Sequence, residues 1–226
     1  MMNKINVDNK KILLTGDTYY LEINNDIEID IEVKNDNKLI IVGTSNYNVN
    51  INVNENSKLI VNSLNKDNSV NVNIELHENS NITYNHSTLS SVDSVNNFTV
   101  NHLSNDSTSI LNNNGINKDD NKLFFCIDGV IPKNLLNINC NQSSKILNYK
   151  KGNSKIIPNL IIDSNDIIAN HAAYIGEISE EELFYLQSRG INKESIEKLM
   201  YKGTMLSKME LNEEEEEFNQ ILNEWW

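Results

Sequence analysis

The sequence is poor in the residues that mark several common protein classes. Its 226 residues include only 2 Pro, 8 Gly and 2 Cys, and aromatic residues make up 7% of the chain. Two cysteines in a chain of this length do not form a disulfide framework, so a reducing compartment is expected. No long apolar run occurs, and the first residues lack the apolar segment of a signal peptide. We therefore expect a cytoplasmic protein without a membrane span.

Positive charge is scarce as well. The chain has 19 Lys and Arg against 32 Asp and Glu, which gives a formal net charge of −13. An acidic excess repels phosphate backbones, so nucleic acid is not an expected partner. The glycine-rich phosphate loop of ATPases, the nucleophile elbow of serine hydrolases and the paired-histidine motif of zinc proteases are missing.

Apolar and polar residues alternate through most of the segment 15–130. The alternation is clean at 27–33, 49–53 and 70–76, where Ile, Val and Leu take every second position. A period of two predicts strands with one buried and one polar face. Clusters of Asn, Asp and Ser at 34–37, 54–57, 77–80 and 105–107 separate these segments. Such residues favour tight corners, because they tolerate left-handed backbone.

The strands also repeat. Versions of one turn-then-strand phrase are centred on Leu39, Leu59, Ile82 and Ile110, at intervals of 20, 23 and 28 residues. A drifting period in the twenties predicts a solenoid of stacked β-coils, in which asparagines stacked at equivalent corners form ladders. An antiparallel sandwich is the competing fold. It is disfavoured because Asn-Gly turns are missing, apart from the pair at 114–115.

Three histidines and both cysteines lie in the β region. His77, His86 and His102 are spaced 9 and 16 residues apart. They would line one metal-binding face if they stacked, but scattered surface histidines are the favoured interpretation. Cys126 and Cys140 form no C-x-x-C pair, so a buried, inert thiol is expected for each.

The pattern changes to helical after residue 176. Ser179 followed by three glutamates is a capping box, and Gly190 is placed to end the helix that it starts. Leu183, Phe184 and Leu186 supply an apolar stripe on this first helix.

A second helix follows, with Asn192 as its N-cap. We expect Ile196, Leu199 and Met200 to share its apolar face and Gly203 to lie beyond its end.

The segment 211–226 has the spacing of an amphipathic helix, through Phe218, Ile221, Leu222 and Trp225. We expect its apolar stripe to dock on this protein. The acidic run at 213–217 is predicted to be a solvated face or a frayed end.

Two motifs in the last third of the chain carry a family resemblance. The first is a P-x-L-x-I strand at 158–162 that leads through acidic residues to His171 and the small pair Ala172 and Ala173. The second is L-F-Y-L-Q-S-R-G at 183–190. Both motifs, in this order, resemble the C-terminal signature of the SufB/SufD family of the SUF iron–sulfur cluster assembly system.

The resemblance implies a mainly β fold: a right-handed parallel β-helix (solenoid) with a small C-terminal helical element. It divides the chain into a β-helix domain of short coils, 1–176, and a helical element with an acidic amphipathic tail, 177–226. Family members pair through the β-helix and dock SufC, an ABC-type ATPase, through the helical element. The chain is thus expected to be a non-enzymatic scaffold without a stably bound cofactor, with a transient iron–sulfur cluster at the interface of the complex.

Two departures favour a SufD-like over a SufB-like member. SufB-like proteins place a glutamate directly after the histidine, where this chain has Ala172. They also carry a functional cysteine on an earlier coil, at a position that aligns near Ser143. A SufD-like subunit that pairs with a SufB-like protein is the resulting prediction, and a homodimeric scaffold of one subunit type is an alternative.

The resemblance also names candidate site residues. His171 is the candidate for cluster assembly and for metal ligation, since imidazole binds iron and moves protons near neutral pH. A histidine that only caps a backbone group is the alternative. Leu183, Phe184, Leu186 and Arg189 are the candidates for docking the ATPase, and packing within the chain is their alternative role.

A function of another class is also open. Many β-helix proteins bind or cleave carbohydrates, and these usually display clustered Asp or aromatic residues along one face of the coil. Sparse aromatic residues and the missing signal segment disfavour this alternative.

Overall fold

The computed structural model describes residues 3–6, 10–149, 152–212 and 214–226. These residues form two parallel sheets followed by three helices. The eight-stranded sheet contains, in spatial order, β1 (Asn3–Lys4), β3 (Thr18–Ile23), β5 (Asp36–Gly43), β7 (Lys58–Lys66), β9 (Asn81–Ser90), β11 (Thr108–Asn117), β13 (Leu136–Asn148) and β15 (Asp166–Glu177). The seven-stranded sheet contains β2 (Lys11–Leu14), β4 (Ile27–Val33), β6 (Tyr47–Val53), β8 (Val70–Leu76), β10 (Ser94–His102), β12 (Lys122–Ile131) and β14 (Asn153–Ile162).

Consecutive strands alternate between the two sheets. Each strand pairs in parallel with the strands two before and two after it, so one strand of each sheet makes up a coil. The mainly β, all-parallel fold is therefore as predicted, and a β-helix (solenoid) fits this alternation. Ile, Leu and Val side chains from the inner faces of both sheets form the main core between them, and a smaller cluster with Ile131, Ile138 and Cys140 lies next to the last coil.

Corners between strands use left-handed backbone. Asn and Asp supply it because their short side chains tolerate positive φ better than other residues do. The seven such non-glycine residues in the described chain are Asn35, Asn56, Asn79, Asn134, Asn137, Asp67 and Asp106, with φ between 52° and 66°.

Asparagines stack at a corner as predicted, where Asn79 donates to Asn56 at 2.8 Å, and longer ladders that were not predicted run along the strands. On the seven-stranded sheet, Asn97 donates to Asn71 and Asn71 donates to Asn48, both at 2.7 Å. On the outer face of the eight-stranded sheet, Asn112, Asn85 and Asn62 form a second ladder at 2.9 and 3.0 Å. Each ladder thus joins amides one coil apart, and at the end of the second ladder Asn62 Nδ2 donates to the Glu210 carbonyl at 2.9 Å.

The predicted repeat has the wrong register at two of its three steps. Leu39 pairs with Val61, not with Leu59, and Ile82 pairs with Ser109, not with Ile110. Only the step from Leu59 to Ile82 is correct. At Ser109 the shift is a single residue, so the hydroxyl faces the interior and Ile110 faces outward.

The helical region begins as the sequence predicted. Helix α1 (Glu180–Ser188) follows Ser179, and Gly190 has the positive φ of 86° that a helix end favours. The Glu182 side chain of the predicted capping box lies outside the described part of the structure. Helix α2 (Lys193–Leu206) is capped by Asn192, whose side chain accepts a 2.8 Å bond from the Ser195 N–H.

The prediction for the rest of α2 is confirmed only for Ile196, which is buried as expected. Gly203 lies inside the helix instead of beyond it, and Leu199 is 62% exposed instead of buried. The buried face carries Ile196, Tyr201 and Met205. It packs on the outer face of the eight-stranded sheet, which sequence alone does not reveal.

Helix α3 (Glu215–Trp225) docks on the same outer face, as predicted. Phe218 and Leu222 are buried there against Tyr20, Ile40 and other outward apolar residues of the sheet. Because both α2 and α3 share a core with the sheet, the division into domains 1–176 and 177–226 stays a prediction.

The acidic run before α3 is only partly solvated, which corrects the expectation for 213–217. Glu213 lies outside the described residues, and Glu215 and Glu216 are exposed. Glu214, in contrast, is 6% exposed, and both of its carboxylate oxygens lie 3.0 Å from Lys38 Nζ. Burial raises the pKa of Glu214, but the Asn212 N–H and the Lys38 ammonium outweigh it and hold the pKa below its usual value.

Candidate functional site

Within the described residues, no coil is stacked on the last coil of the solenoid. Strands β14 and β15 are the edge strands of the two sheets at this end, pairing only with β12 and β13. Apolar side chains are also exposed on these two strands: outward-facing Ile161 is 55%, Ile168 63% and Tyr174 53% exposed. Unpaired edges and exposed apolar side chains together are typical of a surface that another chain covers.

His171 lies in the middle of this open end. It is the Cα partner of Gln142, a buried residue on the inner side of β13. Because paired residues of parallel strands point to the same face, His171 occupies an inward-facing position of the last coil. The residue is nevertheless exposed, and no hydrogen bond to its ring occurs within the described residues.

The surroundings of His171 are small and apolar. The inward positions on either side of it are Ala169 and Ala173, and the facing strand β14 places Pro158 and Leu160 inward. A chemical group that a partner places against this end would therefore contact one imidazole and otherwise apolar side chains.

Metal ligation at His171 would need ligands from another molecule as well. The described residues contain no group of three His, Cys, Asp or Glu side chains that could hold a metal ion. Since tetrahedral sites take four ligands, a metal bound at His171 would need at least two of them from outside the described residues.

The two departures from the SufB-like pattern lie side by side. Ser143, near which the family's cysteine aligns, is the Cα partner of Ala172, which stands where the glutamate would be. This end of the solenoid therefore lacks a thiol and a carboxylate at neighbouring positions next to His171.

The remaining histidines do not form a metal-binding face, and two of them are not on the surface. His86 and His102 are fully buried, which corrects the expectation of scattered surface histidines, and His77 is half-buried. His86 belongs to the eight-stranded sheet and His102 to the seven-stranded sheet. Burial lowers the pKa of His86 to about 3 and that of His102 to about 4, so both are neutral near pH 7.

His102 belongs to a closed hydrogen-bond network. Ser107 Oγ donates to the Ser104 carbonyl at 3.1 Å, so it accepts from His102 Nδ1 at 2.8 Å. His102 Nε2 is then the acceptor for Ser109 Oγ at 3.0 Å, and Cys140 adjoins Ser109. The network satisfies a buried imidazole, which makes a structural role sufficient for it.

The cysteines differ from one another. Cys140 is buried, as predicted, and burial raises the pKa of its thiol. Cys126 is half-buried on the outward side of β12, which corrects the expectation that it is buried. Burial and the nearby Asp128 raise its pKa too, so neither cysteine is an activated thiolate.

The predicted docking residues of helix α1 differ in their exposure to solvent. Phe184 is 74% exposed, whereas Leu183 and Leu186 are half-buried. Arg189 is exposed, and its guanidinium lies 5.2 Å from the centre of the Tyr185 ring. The alternative of packing within the chain thus applies in part to the two leucines and not to Phe184.

The sequence interpretation missed two members of this surface. Tyr185 is 57% exposed, and Leu199 of α2 is 62% exposed. Tyr185 stands inside the L-F-Y-L motif, so the motif itself was a signal for it. For Leu199, the spacing of three residues from Ile196 predicts a place on the buried face. A residue at this spacing can also lie at the exposed edge of the apolar stripe, which is where Leu199 is found.

In the part of the chain that the structure describes, no helix has the length and apolar character needed to cross a bilayer.

Comparison with known proteins agrees with the fold and the two motifs. The family model described as "SUF system FeS cluster assembly, SufBD core domain" matches residues 48–204, about two thirds of the chain. The iron–sulfur cluster assembly protein SufD of Bacillus subtilis is 37% identical over 90 residues, which cover 39% of this chain and 21% of that protein.

Two further relatives match shorter stretches. An iron–sulfur cluster assembly SufBD family protein of Mycobacterium leprae is 44% identical over 48 residues, covering 21% of this chain and 12% of that protein. Another from Pyrococcus horikoshii is 42% identical over 53 residues, covering 24% and 12%. The matched stretches thus span about a fifth or less of each relative. The chain belongs to the SufBD family of SUF-system iron–sulfur cluster assembly proteins.

Proposed function

We propose that this chain is a SufD-like scaffold subunit, without enzymatic activity of its own, of a SUF iron–sulfur cluster assembly complex. In this complex it pairs with a SufB-like protein and docks a SufC-like ATPase. The observation that carries the proposal is the open end of the solenoid, where His171 faces inward from an edge strand among exposed apolar side chains.

Pairing at the open end would satisfy both edge strands at once. A partner with two sheets of its own offers edges at a matching spacing, which a globular partner without such a fold does not. A SufB-like protein meets this requirement, and so does a second copy of this chain, which corresponds to the homodimeric alternative.

Docking of the ATPase is assigned to α1 and the exposed side of α2. Phe184, Tyr185 and Leu199 expose apolar surface there, and Arg189 adds a positive charge beside the Tyr185 ring. Aromatic residues and arginine are the side chains enriched where binding energy concentrates in protein interfaces.

The chemistry at the interface involves the iron–sulfur cluster as cargo. His171 would supply one imidazole to a cluster or iron ion held mainly by the partner, and this chain binds no cofactor stably. The missing thiol at Ser143 and the missing carboxylate at Ala172 support a helper role for this subunit.

Pairing is tested by charge substitution at the open end. Ile168→Asp should abolish co-purification with the SufB-like protein, because it places a carboxylate in an apolar interface. Leu13→Asp is the matched control, since Leu13 is 50% exposed on β2, at the other end of the stack. Equal loss in both variants, or in neither, contradicts pairing at this end. A dimer of this chain alone, sensitive to the same change, would instead support the homodimer.

Docking of the ATPase is tested separately. Phe184→Asp should remove binding to the SufC-like ATPase while leaving the pairing intact. Val92→Asp serves as the control, because Val92 is 45% exposed in the corner between β9 and β10. Undiminished capture of the ATPase by the Phe184 variant would rule out this docking surface.

The role of His171 is tested by anaerobic reconstitution of the complex. His171→Ala should lower the cluster yield, whereas Asn170→Ala, an exposed neighbour on the outward side of β15, should not. A normal yield with His171→Ala would refute its part in cluster assembly.

A further inference from the structure

Gln142 lies one coil beneath His171 and is built into the interior in an unusual way. It is 3% exposed, and its side chain reaches across from β13 to the opposite sheet, where Nε2 donates to the Asn159 carbonyl at 3.2 Å. That hydrogen bond sets the orientation of the amide. The other amide atom, Oε1, is buried and has no hydrogen-bond partner within the described residues.

Room for this amide is provided by Gly129. A Cβ atom at Gly129 would lie 3.0 Å from Gln142 Nε2 and 2.8 Å from Cys140 Sγ. The coil thus combines a glycine on one sheet with a long polar side chain on the other. The unpaired Gln142 Oε1 costs stability unless a hydrogen-bond donor reaches this buried oxygen.

The last coil offers one suitable donor. Most of its inward positions, as the strand register gives them, carry apolar side chains or Ser154, whose hydroxyl bonds to Asn148 and Asn117. The two exceptions are Glu177, which pairs with Asn148 at the far end of β15, and His171, the Cα partner of Gln142. On the other neighbouring strand, the partner of Gln142 is Leu111, whose side chain has no polar group. The inward positions are Ser154, Ile156, Pro158, Leu160, Ile162, Ile167, Ala169, His171, Ala173, Ile175 and Glu177.

We propose that Gln142 is a positioning residue for His171: its Oε1 accepts a hydrogen bond from one ring nitrogen of His171 when the ring turns inward. The hydrogen bond selects one tautomer of the neutral imidazole, and the second nitrogen keeps its lone pair toward the open end. This deepens the proposed function and rests on it, since the nitrogen that faces outward is the one available to a proton or to iron.

The tautomer of His171 is measurable on the chain itself, without partners or cluster. Ring ¹⁵N shifts of histidine-labelled protein, recorded about two pH units above the usual histidine pKa, distinguish the two neutral tautomers. Gln142→Met preserves the length of the side chain but removes the acceptor. We expect it to change the tautomer ratio of His171 by roughly fivefold, the value of one net hydrogen bond. Asn141→Met, on the outward side of the same strand, should leave the ratio unchanged.

A reciprocal measurement covers the case in which Gln142→Met does not fold. His171→Ala leaves the buried amide untouched, yet it should shift the carboxamide resonances of Gln142. Asn170→Ala should not do so. If the tautomer ratio differs less than twofold between the natural protein and Gln142→Met, or if the carboxamide does not respond to His171→Ala, the positioning role is refuted.

The cluster yield of the variants distinguishes failure of this inference from failure of the function on which it rests. If Gln142→Met changes the tautomer and also lowers the cluster yield in the reconstituted complex, both hold. If the tautomer responds but His171→Ala assembles clusters normally, the hydrogen bond exists and the proposed role of His171 fails.

Discussion

We expect the ion pair between Lys38 and Glu214 to be the single contact that most stabilises the docking of α3 on the sheet. Its side chains are 16% and 8% exposed, and the ammonium contacts both carboxylate oxygens. Removing one partner of a buried pair costs about 3–5 kcal/mol, because the other charge stays buried. Since Lys38 keeps some contact with water, we expect Lys38→Met to cost about 3 kcal/mol, the lower end of that range.

The double variant decides whether the cost comes from the stranded charge. Glu214→Gln keeps an oxygen for the Asn212 N–H, which donates to the carboxylate at 2.9 Å. We expect Lys38→Met combined with Glu214→Gln to lose clearly less than the sum of the two single losses, because no charge remains unpaired.

Urea unfolding followed by tryptophan fluorescence is the suitable assay. The chain has only two tryptophans, Trp225 and Trp226, and both lie at the end of α3. Lys34→Met is the control, since its pair with Glu32 has side chains 53% and 51% exposed and should contribute at most about 1 kcal/mol. Equal losses for the Lys38 and Lys34 variants, or strictly additive losses in the double variant, would refute the reasoning.

Three further predictions concern the solenoid. Asn79→Ala should cost about 1–2 kcal/mol in chemical unfolding, because φ is 52° there, whereas Asn79→Gly should cost less; equal losses would contradict this. Burial holds the pKa values of His86 and His102 lower in the folded chain than in the unfolded chain. These histidines therefore cost no stability above about pH 6.5, and the free energy of unfolding falls by up to about 1.4 kcal/mol per pH unit for each histidine as the pH drops toward 4. His86→Gln should reduce the slope of the free energy of unfolding against pH. Gly129→Ala should overpack the interior and cost about 1–3 kcal/mol of stability, which lowers the melting temperature, and an unchanged melting temperature would show that the interior adapts.

Local pattern was enough to predict the strands. The alternation at Ile27–Val33 and Val70–Leu76 matches β4 and β8, because each strand buries every second residue whatever coil it belongs to. Corner asparagines were equally predictable, since positive φ depends on the residue and its immediate neighbours.

Register was not predictable to the same degree. The phrase at Thr108 looked like a copy of the one at Ser80, yet the coils differ in length and the true pairing is one residue away. Insertions in the corners shift the register without changing the local pattern, so only the pairing of whole coils reveals it.

The open end shows most clearly which features are local in the sequence and which depend on the tertiary structure. The sequence by itself determined that His171 follows the strand at 158–162, that small residues come directly after it and that the chain resembles SufB/SufD proteins, because motifs and periodicity are local properties. Only the tertiary structure decided that His171 faces inward above Gln142, that His86 and His102 are buried, and that Glu214 meets Lys38. These depend on contacts between residues from 5 to 176 positions apart, which the packing of coils and helices creates and no local pattern contains.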